Sequence, residues 1–333
     1  MKRLLPCLII LLLSAAAASS QGSAPGVLTL RYNLGAAAGG MGNAYTTVTD
    51  DTDALFYNPA GLIDIDDLEF MAMYQTVNGG SEYYGFAFGC PYERGGNFGL
   101  GTVIYRKPGE QEDQAGILSY SADVSEKLTA GAGIKSVISR LMPGTTTAMM
   151  VCFDAGCIYT TSKSKKSVSK AGVSLQNFGT ELRYSDGRRA PFINTLRLGW
   201  SNESTVSHWT GNTYDTLTSI DVARHSDSSY VEFNFGFGFK FTKVFTMRMG
   251  FSFYGATSTG NMGAGFRIPC GKNNNIELDL VSVSTRDLDA QAEYTTYRVS
   301  IRTGIEFNPE KNNGKDNSDS KPERRSRQNY DRD

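Results

Sequence analysis

Histidine occurs only twice in this chain of 333 residues, beside five cysteines and ten prolines. Imidazole is the commonest general base near neutral pH, so two histidines leave little room for acid–base catalysis. Neither His208 nor His225 stands in an H-E-x-x-H run, and "ARHSDSS" around His225 reads as an exposed loop. No G-x-S-x-G elbow or phosphate loop occurs, and "GGMGNA" precedes no βαβ pattern, so an enzyme is not expected. The cysteines Cys90, Cys152, Cys157 and Cys270 lack C-x-x-C spacing, which argues against a zinc or haem site; no cofactor is expected. Cys152 and Cys157 fall an odd number of residues apart in one predicted strand and face opposite ways, and spacing sets no other pairing. Charge of one sign is not in excess either, with Lys+Arg 33 against Asp+Glu 34, so nucleic acid is not an expected partner.

Long apolar runs are missing except at the start. "MKRLLPCLIILLLSAAAASSQ" has a basic beginning (Lys2, Arg3), an apolar run from Leu4 to Leu13 and a small-residue end. This reads as a signal peptide over 1–20, with cleavage expected near Ser20; the run is too short for a spanning helix, and Cys7 comes too early for a lipid attachment site. No later segment approaches the roughly 18 apolar residues a membrane helix needs. Entry into a membrane after export would have to be as a barrel.

What the chain has is glycine (36), tyrosine (17) and phenylalanine (18), in alternation. "VEFNFGFGFKF" (231–241) places Phe at every second position, opposite Glu, Asn, Gly, Gly and Lys. Successive strand side chains point to opposite faces, so one face is wholly apolar, over about the 9–11 residues that a tilted strand needs to cross a bilayer. "FTMRMGFSF" (245–253) and "YRVSIRTGIEF" (297–307) repeat the pattern. From Leu68 onward the chain reads as fourteen strands, the first near 68–76 and the last near 294–307, broken by "NGG", "MPG" and "CGKNNN". A secreted β-sandwich also alternates, but an even number of strands without a domain break favours an all-β, 14-stranded antiparallel transmembrane β-barrel over 67–307. Short links "SE" (125–126) and "TK" (242–243) fall at one end, and the longer "KPGEQEDQ", "NFGTELRYSDGRRAP" and "TRDLDAQAE" at the other. Glu232, Lys240, Arg248, Arg298, Arg302 and Glu306 take lumen positions and are expected to pair across the interior. The glycines of "GGNFGLG" (95–101) either hold a bulge that opens the wall or line a crowded lumen, the plainer reading.

Two segments stand apart. The tail, 308–333, is polar and charged, with the composition of a disordered segment. Residues 21–66 include "LGAAAGGMGNAYTTVTDDTDALFYNPAGL" (34–62), where small residues allow close backbone approach. Asp50, Asp51 and Asp53 supply caps, and Asn58-Pro59 opens a turn or helix. Such a compact segment is either a plug in the lumen or a periplasmic extension.

The motif residues Gly40, Met41, Gly42, Asp50, Asp51, Asn58, Pro59, Ala60, Gly61 and Leu62 resemble the N-terminal hatch of the PorV/PorQ family of outer-membrane proteins, relatives of the FadL fatty acid transporters. The resemblance continues through 119–141, 171–201 and "SIRTGIEF" (300–307). Two departures stand out: Thr180 follows Gly179 where the family usually has proline, and residues 308–333 follow Phe307. The resemblance implies a fourteen-stranded barrel with a lumenal hatch, integral to the outer membrane of a Gram-negative-type cell and surrounded by its lipid. It also implies a role in type IX secretion, binding secretion-system proteins and handing over secreted cargo. The alternative is FadL-like passive transport of a hydrophobic small molecule.

Overall fold

The computed structural model describes residues 27–30, 34–77, 80–92, 95–142, 146–179, 181–190, 193–207, 213–270 and 274–305. The expected signal peptide, His208, Glu306, Phe307 and the tail lie outside the described residues. The first seven strands are β1 (Leu68–Val77), β2 (Ser81–Tyr92), β3 (Gly96–Lys107), β4 (Gln111–Ser125), β5 (Leu128–Leu141), β6 (Thr146–Lys163) and β7 (Ser167–Gly179). A small hairpin follows, β8 (Leu182–Arg183) and β9 (Arg189–Ala190). The remaining seven are β10 (Thr195–Ser207), β11 (Thr213–His225), β12 (Val231–Lys240), β13 (Phe245–Tyr254), β14 (Thr257–Cys270), β15 (Asn274–Asp287) and β16 (Ala292–Ile305).

All but β8 and β9 join one closed barrel of fourteen antiparallel strands, each pairing with its sequence neighbour. Closure runs between β1 and β16, from Leu68 opposite Ile305 to Gln75 opposite Arg298. Closing the sheet leaves no edge with unpaired backbone groups. Among the described residues no helix is long and apolar enough to cross a membrane.

The alternation sorts side chains as the pattern requires. On β12, Phe233, Phe235 and Phe237 are 45%, 40% and 39% exposed on the outside, while Asn234 between them is fully buried in the lumen. Phe235 packs edge-on against Phe253 of β13, and Phe245 meets Phe266 of β14, so the outer belt is a set of cross-strand aromatic pairs.

Two sequence expectations change, and the less favoured reading of the β3 glycines drops out. "KPGEQEDQ" and "TRDLDAQAE" are mostly strand, since β4 begins at Gln111 and β15 and β16 run to Asp287 and from Ala292. Polar side chains on both faces hide the two-residue period there, yet ladder hydrogen bonds continue. Within "NFGTELRYSDGRRAP" residues 182–190 fold back as the β8–β9 hairpin, with Leu182, Tyr184 and Ala190 buried in one cluster with Ala148 and Met150. Strand β3 carries no bulge: it pairs without interruption with β2 and β4. The register shifts lie elsewhere: between Asp123 and Ser125 of β4, between Thr160 and Ser162 of β6, and at Asp154 of β6, near which Asn177 takes φ 61°.

Candidate functional site

Residues 34–66 fold inside the barrel as a hatch: a helical turn over Ala36–Gly40, then 3₁₀ turns over Thr52–Phe56 and Pro59–Asp64. Asn58 caps the last, its Oδ1 accepting from Ala60 N at 3.1 Å while its Nδ2 donates to Thr46 O at 2.9 Å. Pro59 occupies the first turn, where a missing N–H costs nothing. Asp51 caps the preceding turn, accepting from Asp53 N at 3.0 Å. These are the roles their spacing suggested. Gly61 is pressed between Ala54 and Val48 O, and Leu62 is buried against Gly99 of β3. Asp50 is half-buried and adds negative charge beside Asp51.

The strand glycines are the socket for this segment. Met41 lies across Gly236 and Gly238 of β12. Gly42, at φ 63°, lies so close to β12 and β13 that a Cβ would come within 2.7 Å of Phe235 O and Phe251 N. A Cβ on Gly250 would collide with Gly42 N, and one on Gly131 with the backbone of Pro59 and Ala60. Gly40 rests on Arg248 and Gly263. The crowded-lumen reading of the glycines therefore holds for β3 as well, where Gly99 and Gly101 face Leu62 and Leu55.

An irregular backbone buried in a barrel must find partners for its N–H and C=O groups. The wall provides them. Asp221 Oδ2 of β11 accepts from Tyr45 N at 2.8 Å, Thr46 N at 2.8 Å and Thr46 Oγ1 at 2.6 Å. Asn97 of β3 donates to the carbonyls of Leu62, Ile63 and Ile65. Ser252 of β13 donates to Gly42 O, Asn261 of β14 to Gly39 O, and Gln176 of β7 to Phe56 O. Sequence reading missed these residues as a set, though each sits at lumen parity among small neighbours.

Of the lumen charges expected to pair, Arg302 and Arg298 reach the hatch, while Arg248 and Glu232 pair with other strands of the wall. Arg302 approaches Asp51 at 3.4 Å, Asp53 at 3.2 Å and Glu69 at 3.2 Å. Arg248 pairs with Asp279 at 2.5 Å and Glu277 at 3.4 Å, Arg267 with Glu277 at 2.9 Å, and Arg298 donates to Asn43 Oδ1 at 3.0 Å. Burial pushes the Asp53 carboxyl up to about 7 and raises that of Asp51, in each case against the opposing pull of Arg302. His225 is not an exposed loop residue. It is buried at the end of β11, with Nδ1 2.9 Å from Thr195 Oγ1 and Nε2 2.9 Å from Glu232 Oε2. The flanking "SDSS" turn made the stretch look solvated, but His225 itself closes the strand at lumen parity.

Two cavities among the described residues bear on function. One, of about 20 Å³, lies in the lumen between Leu30, Leu34, Val103 and Ile117 on one side and Lys135, Gln176, Asn177 and Arg197 on the other. Lys135 is already matched there by Asp154 at 2.8 Å. The other, of about 600 Å³, is an open apolar recess on the outside of the wall across β3, β2, β1, β16 and β15. Phe70, Phe86, Phe88, Leu100 and Ile301 wall it, with Ala72 and Thr303 leaving the space between them.

No protein-family model matches the chain, and no curated protein is similar to it in sequence. Solved structures are similar in fold. The P. putida toluene transporter TodX superposes with a TM-score of 0.56 at 12% identity, over 83% of this chain and 99% of that one. The Ralstonia pickettii toluene transporter TbuX gives 0.49 at 14% identity, over 83% and 99%, and a Pseudomonas aeruginosa FadL homologue 0.48 at 12%, over 80% and 96%. At such identity the TodX superposition establishes a shared barrel fold and nothing finer.

Proposed function

We propose that this protein is an integral outer-membrane barrel that passes a small hydrophobic molecule through its wall rather than along an aqueous pore. The observation that carries the proposal is the pairing of a stoppered lumen with an apolar recess of about 600 Å³ outside the wall. Ala87 and Gly101, with the longer Met71 beside them, stand on the lumen side of that wall, and Leu55 of the hatch lies directly behind Gly101. Small apolar ligands are taken by concave apolar sites with a few placed polar groups, and the recess, with Thr102 and Thr303 among its apolar walls, is of that kind. TodX, whose fold the chain shares, is a toluene transporter, and this supports the same substrate class here. The expected signal peptide and the outer aromatic belt support the location.

The resemblance to PorV and PorQ supports a second reading, hand-over of secreted cargo in type IX secretion. The hatch residues that carry the resemblance, Gly40 through Leu62, are engaged in seating the hatch, so they favour the common build rather than either use. Uptake of radiolabelled oleate and toluene at limiting concentration, by cells with and without the protein, tests the proposal. Slower uptake of either in the deletion strain supports it. Unchanged uptake together with loss of surface-attached secreted proteins would replace it with the second reading.

A further inference from the structure

Around the hatch, negative charge outnumbers positive. Asp51 and Asp53 of the hatch, Glu69 of β1, and Glu277 and Asp279 of β15 face the guanidiniums of Arg248 on β13, Arg267 on β14 and Arg302 on β16. Five acids meet three bases. Asp50 and Arg298 at the margin add one of each and leave the excess of two unchanged. The neighbouring Tyr45 hydroxyl donates to Asp51 Oδ2 at 2.6 Å, and Tyr57 donates to Asn43 Oδ1 at 3.2 Å, so both phenols are neutral donors. Asp53 and Asp279 are fully buried, and Asp53 Oδ1 and Asp279 Oδ2 receive no hydrogen bond. A buried unbalanced carboxylate is expensive, and the cheapest relief is to hold a proton.

We propose that the Asp53–Arg302 cluster is a proton-linked latch, which grips the hatch most tightly in acid and loosens as the surroundings turn neutral. The proposal does not depend on what the barrel transports. The geometry places the titrating group on the hatch: Asp53 is held by Arg302 and by Ala38 N at 3.2 Å, beside Asp51 of the same segment, while Glu69 shares Arg302 from the wall. A protonated Asp53 still accepts from Ala38 N, and the remaining charges come closer to balance. Its carboxyl titrates near 7 in the seated hatch, above the ordinary 3.8, so the seated state binds more protons than a released one. Stability of the seated hatch is therefore fully present below about pH 4 and is lost progressively up to about pH 7.

Hydrogen exchange of the full-length barrel in phosphatidylcholine vesicles tests this, with rates for peptides over 36–66 normalised to the intrinsic pH dependence of an unfolded control. Between about pH 5.5 and about pH 8 the wild-type hatch is expected to lose about tenfold or more in protection, while barrel peptides keep theirs, since each pKa unit corresponds to a factor of ten. Asp53→Asn, which keeps an acceptor for Ala38 N, is expected to hold its protection across that range. Equal wild-type protection at both pH values would overturn the proposal, as would an Asp53→Asn hatch that keeps the full pH dependence. If Asp53→Asn fails to form a protected barrel, the wild-type profile decides, with Glu69→Gln expected to weaken the dependence on pH.

Discussion

Arg302 occupies a position that alternation alone assigns to the lumen, and its surroundings show why one guanidinium matters so much. It is the shared counter-ion of Asp51, Asp53 and Glu69, with all four groups largely out of water. Removing one partner of a buried pair leaves the others uncompensated, at about 3–5 kcal/mol. Arg302→Met is expected to lower the unfolding midpoint in detergent by a corresponding amount; a change below about 1 kcal/mol would mean that the pairing is idle. The glycines allow a paired test. Gly250→Ala puts a methyl group into Gly42 and is expected to cost about 1–3 kcal/mol and to unseat the hatch, whereas Gly116→Ala meets nothing within 4 Å and should leave it seated. At this scale the sequence was legible by parity: the lumen facing of Arg248, Arg298 and Arg302 follows from the strand period. Their partners were not legible, because Asp51 and Asp53 come from a segment with no period to orient them.

Among the elements, the strands announce themselves wherever one face meets an apolar phase and the other the lumen, as β12 and β13 do. They fade where both faces are polar, which is why β4 and β15 run further than their apolar cores suggest. The β8–β9 hairpin was hidden for another reason: its buried Leu182, Tyr184 and Ala190 lie among five charged residues that pair with one another locally. In the hatch the caps were readable because capping is a local rule. Asn58 is the sharpest case, since it satisfies both Ala60 N and Thr46 O. Asn58→Ala is expected to cost about 1–2 kcal/mol of hatch stability, read as faster exchange over 52–64 with the barrel unaffected. Asn58→Asp keeps the cap but loses the donor to Thr46, and should fall between the two.

For the molecule as a whole, the fold follows from closing fourteen half-apolar strands, and the plug follows from the glycines left on their inner faces. A barrel of this size without the hatch would hold a wide lumen; with it, the wall meets the hatch backbone at Gly131 and Gly250, and the cavity beside Lys135 and Arg197 is about 20 Å³, near the space of a single water. That sealing is the premise on which the proposed route through the wall stands. Its most direct test is the ionic conductance of the full-length protein in a planar bilayer, beside a variant carrying Gly250→Leu and Gly131→Leu, whose side chains would occupy the hatch's seat. The intact protein is expected to be electrically silent and the variant to show discrete open steps. Steady ohmic conductance from the intact protein would mean that the lumen is a pore, and would contradict the account of a stoppered barrel.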